Sequence, residues 1–199
     1  MDPIPINLVC EDQVSACVMT KLVERTGKFH VAFTYSEGGF GYIKKHMGGW
    51  NLAAKGCPFF VLTDLDLNTC APDLIKSWLP EKKHPNLIFR VAVKEIEAWL
   101  LADIDGFSGF SGVSKANFVE NIERVADPKA ELFRILRRCK KRLIREDILP
   151  KDEYASVGPN YNERLCEFIV HHWNIERAMK RSDSLTRTMM QLEKFSVSF

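Results

Sequence analysis

Pro58-Phe59-Phe60-Val61-Leu62-Thr63-Asp64-Leu65-Asp66 decides the fold of this chain. Apolar and β-favouring residues run into an Asp-x-Asp pair, and the turn formers Asn68 and Pro72 stand just beyond. A continuous apolar run bounded by turn signals predicts a strand buried on both faces, as in a parallel sheet. Alternation along that strand puts Asp64 and Asp66 on one side at its carboxyl end. Open α/β sheets bind their ligands at that end. Two carboxylates side by side repel unless a cation lies between them, and hard divalent ions prefer oxygen ligands. The alternative is a pair that caps the following helix.

Working outward, the segments Ile4–Cys10, Phe29–Tyr35 and Asn86–Val93 read as further strands, rich in apolar, β-branched and aromatic residues. Gln13–Arg25 is helical, with Val14, Cys17, Val18, Leu22 and Val23 toward one face and Gly27 as its C-cap. Pro72 opens a helix to about Trp78, and Lys94–Asp103 turns into another. Four strands interleaved with helices predict a compact parallel α/β unit, with a right-handed crossover after the first strand. Asp105–Ser114 is a Gly/Ser/Phe-rich segment that reads as a loop and sets the expected division: 1–104 as the α/β core, 105–199 as a helical C-terminal half. In that half Asp127-Pro128 caps a helix expected to reach about Glu146, another covers about Asn162 to Trp173, and Ser182 caps the last.

The 199 residues suit one domain of ordinary size, or a core with an appended half. A hydrophobic fraction of 46% supports a sizeable core, so disorder is expected only at the ends. The net charge of +2 leaves any nucleic-acid affinity to local patches. No apolar run approaches the roughly 20 residues of a membrane span. Met1-Asp2-Pro3-Ile4-Pro5 lacks the basic start of a signal peptide, so a cytoplasmic protein with no membrane association is expected. The cysteines at 10, 17, 57, 70, 139 and 166 form no Cys-x-x-Cys pair and read as reduced, mostly buried thiols.

The first strand ends in Glu11-Asp12. A Glu there, followed by Asp-x-Asp at the end of a later strand, resembles the TOPRIM domain of topoisomerases, primases and OLD-type nucleases. The resemblance implies that Glu11 is the general acid/base and that Asp64 and Asp66 hold magnesium or manganese. The family usually has Gly after the Glu, where this chain has Asp12. A third stretch, Arg90-Val91-Ala92-Val93-Lys94-Glu95-Ile96-Glu97-Ala98-Trp99-Leu100-Leu101-Ala102-Asp103, resembles the signature of a small stand-alone TOPRIM-like family. Its genes often lie beside those of ABC- or SMC-type ATPases in bacteria. The resemblance covers Ile4 to about Asp103, and the tail loosely. It implies a TOPRIM/Rossmann-like sheet, an ATPase partner and an anti-phage role. Glu95 and Glu97 either complete the metal site, directly or through water, or stand where acidic residues suit a helix N-terminus. Glu97 is favoured as a ligand because the signature retains the Glu beside Ala98-Trp99.

Two basic stretches are candidates for nucleic-acid contact. Glu37-Gly38-Gly39-Phe40-Gly41-Tyr42-Ile43-Lys44-Lys45 fails the spacing of a nucleotide P-loop, and no hydroxyl follows the lysines. Lys44 and Lys45 either reach substrate phosphates from beside the sheet or belong to a solvated helix start. On a helix through Glu146, Leu132, Ile135, Leu136, Cys139 and Leu143 form an apolar stripe. Arg134, Arg138, Lys141 and Arg145 fall opposite it with Arg137 adjacent, and no acidic residue interrupts them. Such a cationic ridge suits phosphate-backbone binding, and the alternative is the solvated face of an amphipathic core helix. His171 and His172 point in different directions on a helix, so one of them is expected as a partly buried histidine rather than both as metal ligands.

No Tyr stands in a topoisomerase context, and the expected activity is therefore metal-dependent hydrolysis of DNA or RNA with one or two divalent ions. The reading from another class is a non-catalytic or weakly catalytic TOPRIM-like regulatory or toxin-like subunit that acts by binding the ATPase.

Overall fold

The computed structural model describes residues 2–198. Four strands, β1 (Ile4–Val9), β2 (Phe29–Tyr35), β3 (Phe59–Asp64) and β4 (Leu87–Ala92), form one all-parallel sheet in the order β2-β1-β3-β4. The protein is α/β, as the strand–helix alternation predicts. The chain divides into two compact units. One comprises the residues up to Val93 with those from Thr186 onward, and the other is Lys94–Leu185. The division expected from the sequence, at 104/105, is displaced accordingly.

In the first unit the sheet is flanked by α1 (Gln13–Thr26), α2 (Gly39–Ala53) and α3 (Ala71–Trp78). Asp12 caps α1 by accepting from the Ser15 N–H at 2.8 Å, and Gly27, at φ 64°, ends it in the left-handed conformation glycine permits. The pleat sends alternate residues of β3 and β4 to one face, where Phe59, Val61, Phe89 and Val91 pack on Met47 and Trp50 of α2 and Trp78 of α3. Each strand of that pair is buried almost throughout, which is why the apolar runs lack alternation. The edge strand β2 is largely exposed and carries a bulge where its pairing with β1 slips between Ile6 and Asn7. Near the C-terminus, Asn86 accepts from the Ser198 N–H at 2.7 Å and donates to its carbonyl at 2.9 Å.

The second unit holds α4 (Ile96–Ala102), α5 (Ile104–Ser111), α6 (Pro128–Leu136), α7 (Arg142–Ile148), α8 (Tyr161–His171) and α9 (Ile175–Met179). A last helix, α10 (Asp183–Lys194), begins here, capped by the Ser182 hydroxyl on the Leu185 N–H at 3.2 Å. Every residue of α4 is buried. Trp99 donates to the Ser184 hydroxyl at 2.7 Å and Trp173 to the Trp99 carbonyl at 3.0 Å, so both indoles are satisfied in the core. Asp103, fully buried, accepts from the Gly106 and Asn174 N–H groups and from the Arg177 guanidinium at 2.6 and 2.9 Å. A buried carboxylate persists when its lone pairs are filled in this way.

Three expectations are corrected by the structure. Asp105–Ser114 is not a loop over most of its length, because Asp103 caps a helix through Gly106 and Phe107 and Phe110 bury themselves. The Asp127-capped helix stops at Leu136; the chain breaks across Arg137–Lys141 before α7 begins, and Leu143 is 69% exposed rather than part of an apolar stripe. His171 and His172 are both exposed. Cys10, Cys57, Cys70 and Cys139 are free thiols as expected, whereas Cys17 and Cys166 are in disulfide form. Among the described residues no helix is long and apolar enough to cross a membrane.

Candidate functional site at the carboxyl edge of the sheet

Neighbouring strands β1 and β3 pair with Val9 opposite Val61, so two residues further on Glu11 stands level with Thr63. Glu11 Oε1 accepts from the Thr63 hydroxyl at 2.5 Å and from the Asp64 N–H at 3.1 Å. One carboxylate oxygen is thus locked to the end of β3, while Oε2 takes no part in either bond. Burial pushes the Glu11 pKa up, the two hydrogen bonds pull it down, and the charges of Asp66 and Asp12 push it up again. The net displacement is upward, toward the range in which a carboxyl group exchanges protons near neutral pH. Thr63, buried at the penultimate position of its strand, was not identified from the sequence. Its signal was its place in the β-branched run directly before Asp64.

Asp66 comes to the site by another route than strand alternation. β3 ends at Asp64, and Asp66 has φ 48°, the one non-glycine positive φ among the described residues. Leu65 donates to the Ala92 carbonyl at 2.9 Å, which finishes the ladder, and Asn68 donates to the Leu65 carbonyl at 3.0 Å. The turn so closed has Asp66 and the fully exposed Leu67 at its centre. A left-handed conformation costs a residue with a Cβ about 1–2 kcal/mol, and Asp and Asn tolerate it best. Strain of this kind gathers at functional sites. The expectation that pleating puts Asp64 and Asp66 side by side is therefore corrected: the turn presents Asp66, and its charge is felt at Glu11.

Asp12, which departs from the glycine of the TOPRIM pattern, is occupied as the cap of α1. The thiol of Cys10 is pushed up to about 12 by burial and by the charges of Asp12 and Glu11, so it is not a nucleophile. Among the described residues no three His, Cys, Asp or Glu side chains group closely enough to form a ready-made metal cluster. Magnesium, however, is usually held by one or two carboxylates completed by waters and substrate phosphates. Hard oxygen donors whose like charges repel, as those of Glu11 and Asp66 do, fit such an ion in their chemistry.

The remaining sequence candidates fall in different surroundings. Glu95 Oε2 accepts from the Lys129 N–H at 2.9 Å in the first turn of α6, and burial pushes its pKa up to about 6. Glu97 is 2% exposed; its Oε1 accepts from the Tyr161 hydroxyl at 2.5 Å and lies 3.5 Å from Lys129 Nζ, and its Oε2 is buried without a hydrogen-bond partner. Both glutamates are thus held by elements of their own unit. Arg134 forks onto Glu131 at 2.6 and 2.7 Å and reaches the Asn117 carbonyl. Lys141 donates to the carbonyls of Gly109 and Phe110 near the end of α5, and Arg145 to that of Cys139. Arg137 and Arg138 are exposed in the break between α6 and α7. The five therefore do not form one ridge on one helix. Lys44 and Lys45 are exposed on α2, which leaves from the carboxyl edge of the sheet, the edge that carries Glu11 and Asp64. Comparison of the chain with protein-family models, with curated proteins and with solved structures gave no match.

Proposed function

We propose that the protein is a TOPRIM-type, metal-dependent nuclease that hydrolyses phosphodiester bonds in DNA or RNA. One observation carries the reading. A half-buried glutamate at the end of β1 has one oxygen fixed by β3, has its pKa raised, and feels the charge of an aspartate held in a strained turn. A surface carboxylate with no task needs none of these constraints. Glu11 acts as the general acid/base: Thr63 and the Asp64 N–H hold its carboxylate, and the raised pKa suits it to take and return a proton at the hydrolytic water. Asp64 and Asp66, with Glu11, hold magnesium or manganese. When bound, that ion polarises the scissile phosphate and neutralises charge on the departing oxygen. Lys44 and Lys45 bind backbone phosphates. In the cell the protein is a cytoplasmic effector whose partner is an ABC- or SMC-type ATPase in anti-phage defence, a role that rests on the TOPRIM resemblance.

The test is cleavage of labelled single- and double-stranded DNA and RNA with magnesium, manganese or EDTA. Wild type should cleave at least one substrate only with metal. Asp66→Asn and Glu11→Gln should each lower the rate at least about a hundredfold, the usual scale for a general acid/base group. Metal-independent or absent cleavage of every substrate by wild type, alone and with the partner ATPase, ends the nuclease reading.

A further inference from the structure

We propose that α2 and the loop before β4 bind single-stranded nucleic acid and lead it to the carboxyl edge of the sheet. The inference deepens the nuclease reading and rests on it for the strand's destination. α2 carries Lys44, Lys45 and His46 and no carboxylate in its whole length. It descends from the carboxyl edge, and its last turns form one wall of a cleft of about 380 Å³. Gly48, Asn51, Leu52 and Lys55 line that cleft from the helix side, facing Lys82, Lys83 and His84 across it. The walls are built: Asn51, 8% exposed, accepts from the His84 N–H at 2.7 Å and donates to the Lys82 carbonyl at 3.2 Å, tying the loop to the helix. Lys83 Nζ is engaged by the Leu87 carbonyl, whereas Lys44, Lys45, Lys55 and Lys82 all stand exposed. Cations thus run from the carboxyl edge of the sheet to its opposite edge, with Glu81 as the single acid in the cleft. That spacing and sign complement a phosphodiester backbone.

The adjacent face of α2 selects the kind of strand. Tyr42, His46 and Trp50 recur every fourth residue, with ring centroids 4.2 Å apart for Tyr42–His46 and 5.9 Å for His46–Trp50. Tyr35, from the end of β2, joins at 6.5 Å from Trp50. Trp50 is the buried floor, and Tyr35, Tyr42 and His46 are exposed above it at 40% and 39% for the two tyrosines. Rings that face solvent beside a lysine row are stacking platforms for unpaired bases, which a duplex keeps inside its own stack. An acidic peptide would satisfy the lysines but has no use for the rings.

The experiment is fluorescence anisotropy of a labelled single-stranded oligonucleotide on the full chain in EDTA, so that binding is read apart from cleavage. Tyr42→Ala should weaken binding about tenfold and Tyr42→Phe should retain it, because the ring and not the hydroxyl stacks. The double variant Lys55→Glu, Lys82→Glu should reduce the slope of log affinity against log salt by about 1.4, at about 0.7 for each phosphate that is no longer neutralised. A duplex of the same length should bind more weakly than the single strand and ignore Tyr42→Ala. Equal affinity and salt slope in all folded variants overturns the proposal. So does a duplex that binds as well as the single strand, or polyglutamate that displaces the oligonucleotide at equal charge. Metal-dependent cleavage that persists in the face of any of these results leaves the nuclease reading standing, and tight single-strand binding without cleavage does the reverse.

Discussion

Replacing Glu95 with glutamine separates a structural carboxylate from a ligand. Burial is the largest influence on Glu95 and pushes its pKa up to about 6; the Lys129 N–H pulls it down and Glu97 pushes it up. The folded-state pKa lies above the ordinary value of 4.5, so the folded protein binds the proton more tightly than the unfolded chain does. The associated stability is fully present below about pH 4.5, falls as pH rises through about 6, and is lost above that. At about 1.4 kcal/mol for each pH unit the full effect is about 2 kcal/mol, which solvent screening of a half-buried group reduces to about 1–2 kcal/mol. Glutamine keeps the size and the acceptor for the Lys129 N–H but cannot ionise. Glu95→Gln should therefore match wild type at pH 4 and exceed it by about 1–2 kcal/mol at pH 8, a rise in Tm of about 2–8 °C for a chain of this size. Urea unfolding of both proteins, followed by tryptophan fluorescence at several pH values, gives the difference with other titrations cancelled. A glutamine variant that is weaker at pH 8, or a difference constant across pH, refutes the reasoning. Magnesium that stabilises wild type but not the variant would instead make Glu95 a metal ligand.

Two glycines should respond oppositely to alanine. Gly48 lies inside α2, and a Cβ there meets nothing within 4 Å, so Gly48→Ala should stabilise by about 0.5–1 kcal/mol and raise Tm. Gly106 lies in the first turn of α5, where a Cβ would collide with the Asp103 carboxylate and come within 2.9 Å of the His172 carbonyl. Gly106→Ala should lower Tm, and a neutral result would mean that Asp103 moves freely. Asp103→Ala strips the Arg177 guanidinium and two N–H groups of their acceptor and should cost about 3–5 kcal/mol by denaturant unfolding.

The sheet was legible because its signals are local and redundant. β3 and β4 are buried on both faces, and burial of that kind leaves an unbroken apolar run that few other structures produce. Strand order was not legible, since nothing in β1 announces that β3 rather than another strand will lie beside it. The second half was harder for a related reason. Glycine and serine in Ile104–Ser111 have poor helix propensity, and what makes this segment a helix is the burial of Phe107 and Phe110 together with the cap from Asp103. The opposite error arose at Arg137–Lys141, where periodicity continues through residues that leave the helix. Cys139 is buried by donating to the Ser111 carbonyl at 2.9 Å, and Lys141 turns to the carbonyls near the end of α5. Tertiary partners decide such breaks, and a helical wheel does not contain them.

At the carboxyl edge, residue identity was legible and geometry was not. Glu11, Asp64 and Asp66 could be singled out by type and by position at strand ends, yet two local facts that organise them had no pattern to read. Thr63 reaches Glu11 because β1 and β3 are neighbours in a particular register, and register is a property of pairing rather than of either strand alone. Asp66 adopts a left-handed backbone because the ladder closes at Leu65 and the chain must turn at once toward α3. Glycine would fit that turn with less strain, as positive φ requires no Cβ clash to be tolerated. An aspartate where glycine is easier to accommodate means that the turn does not by itself explain the residue. Its carboxylate, pressing on Glu11 through space, is the feature a glycine would remove. Position, strain and charge at Asp66 therefore point together toward the chemistry of the edge rather than toward the stability of the fold.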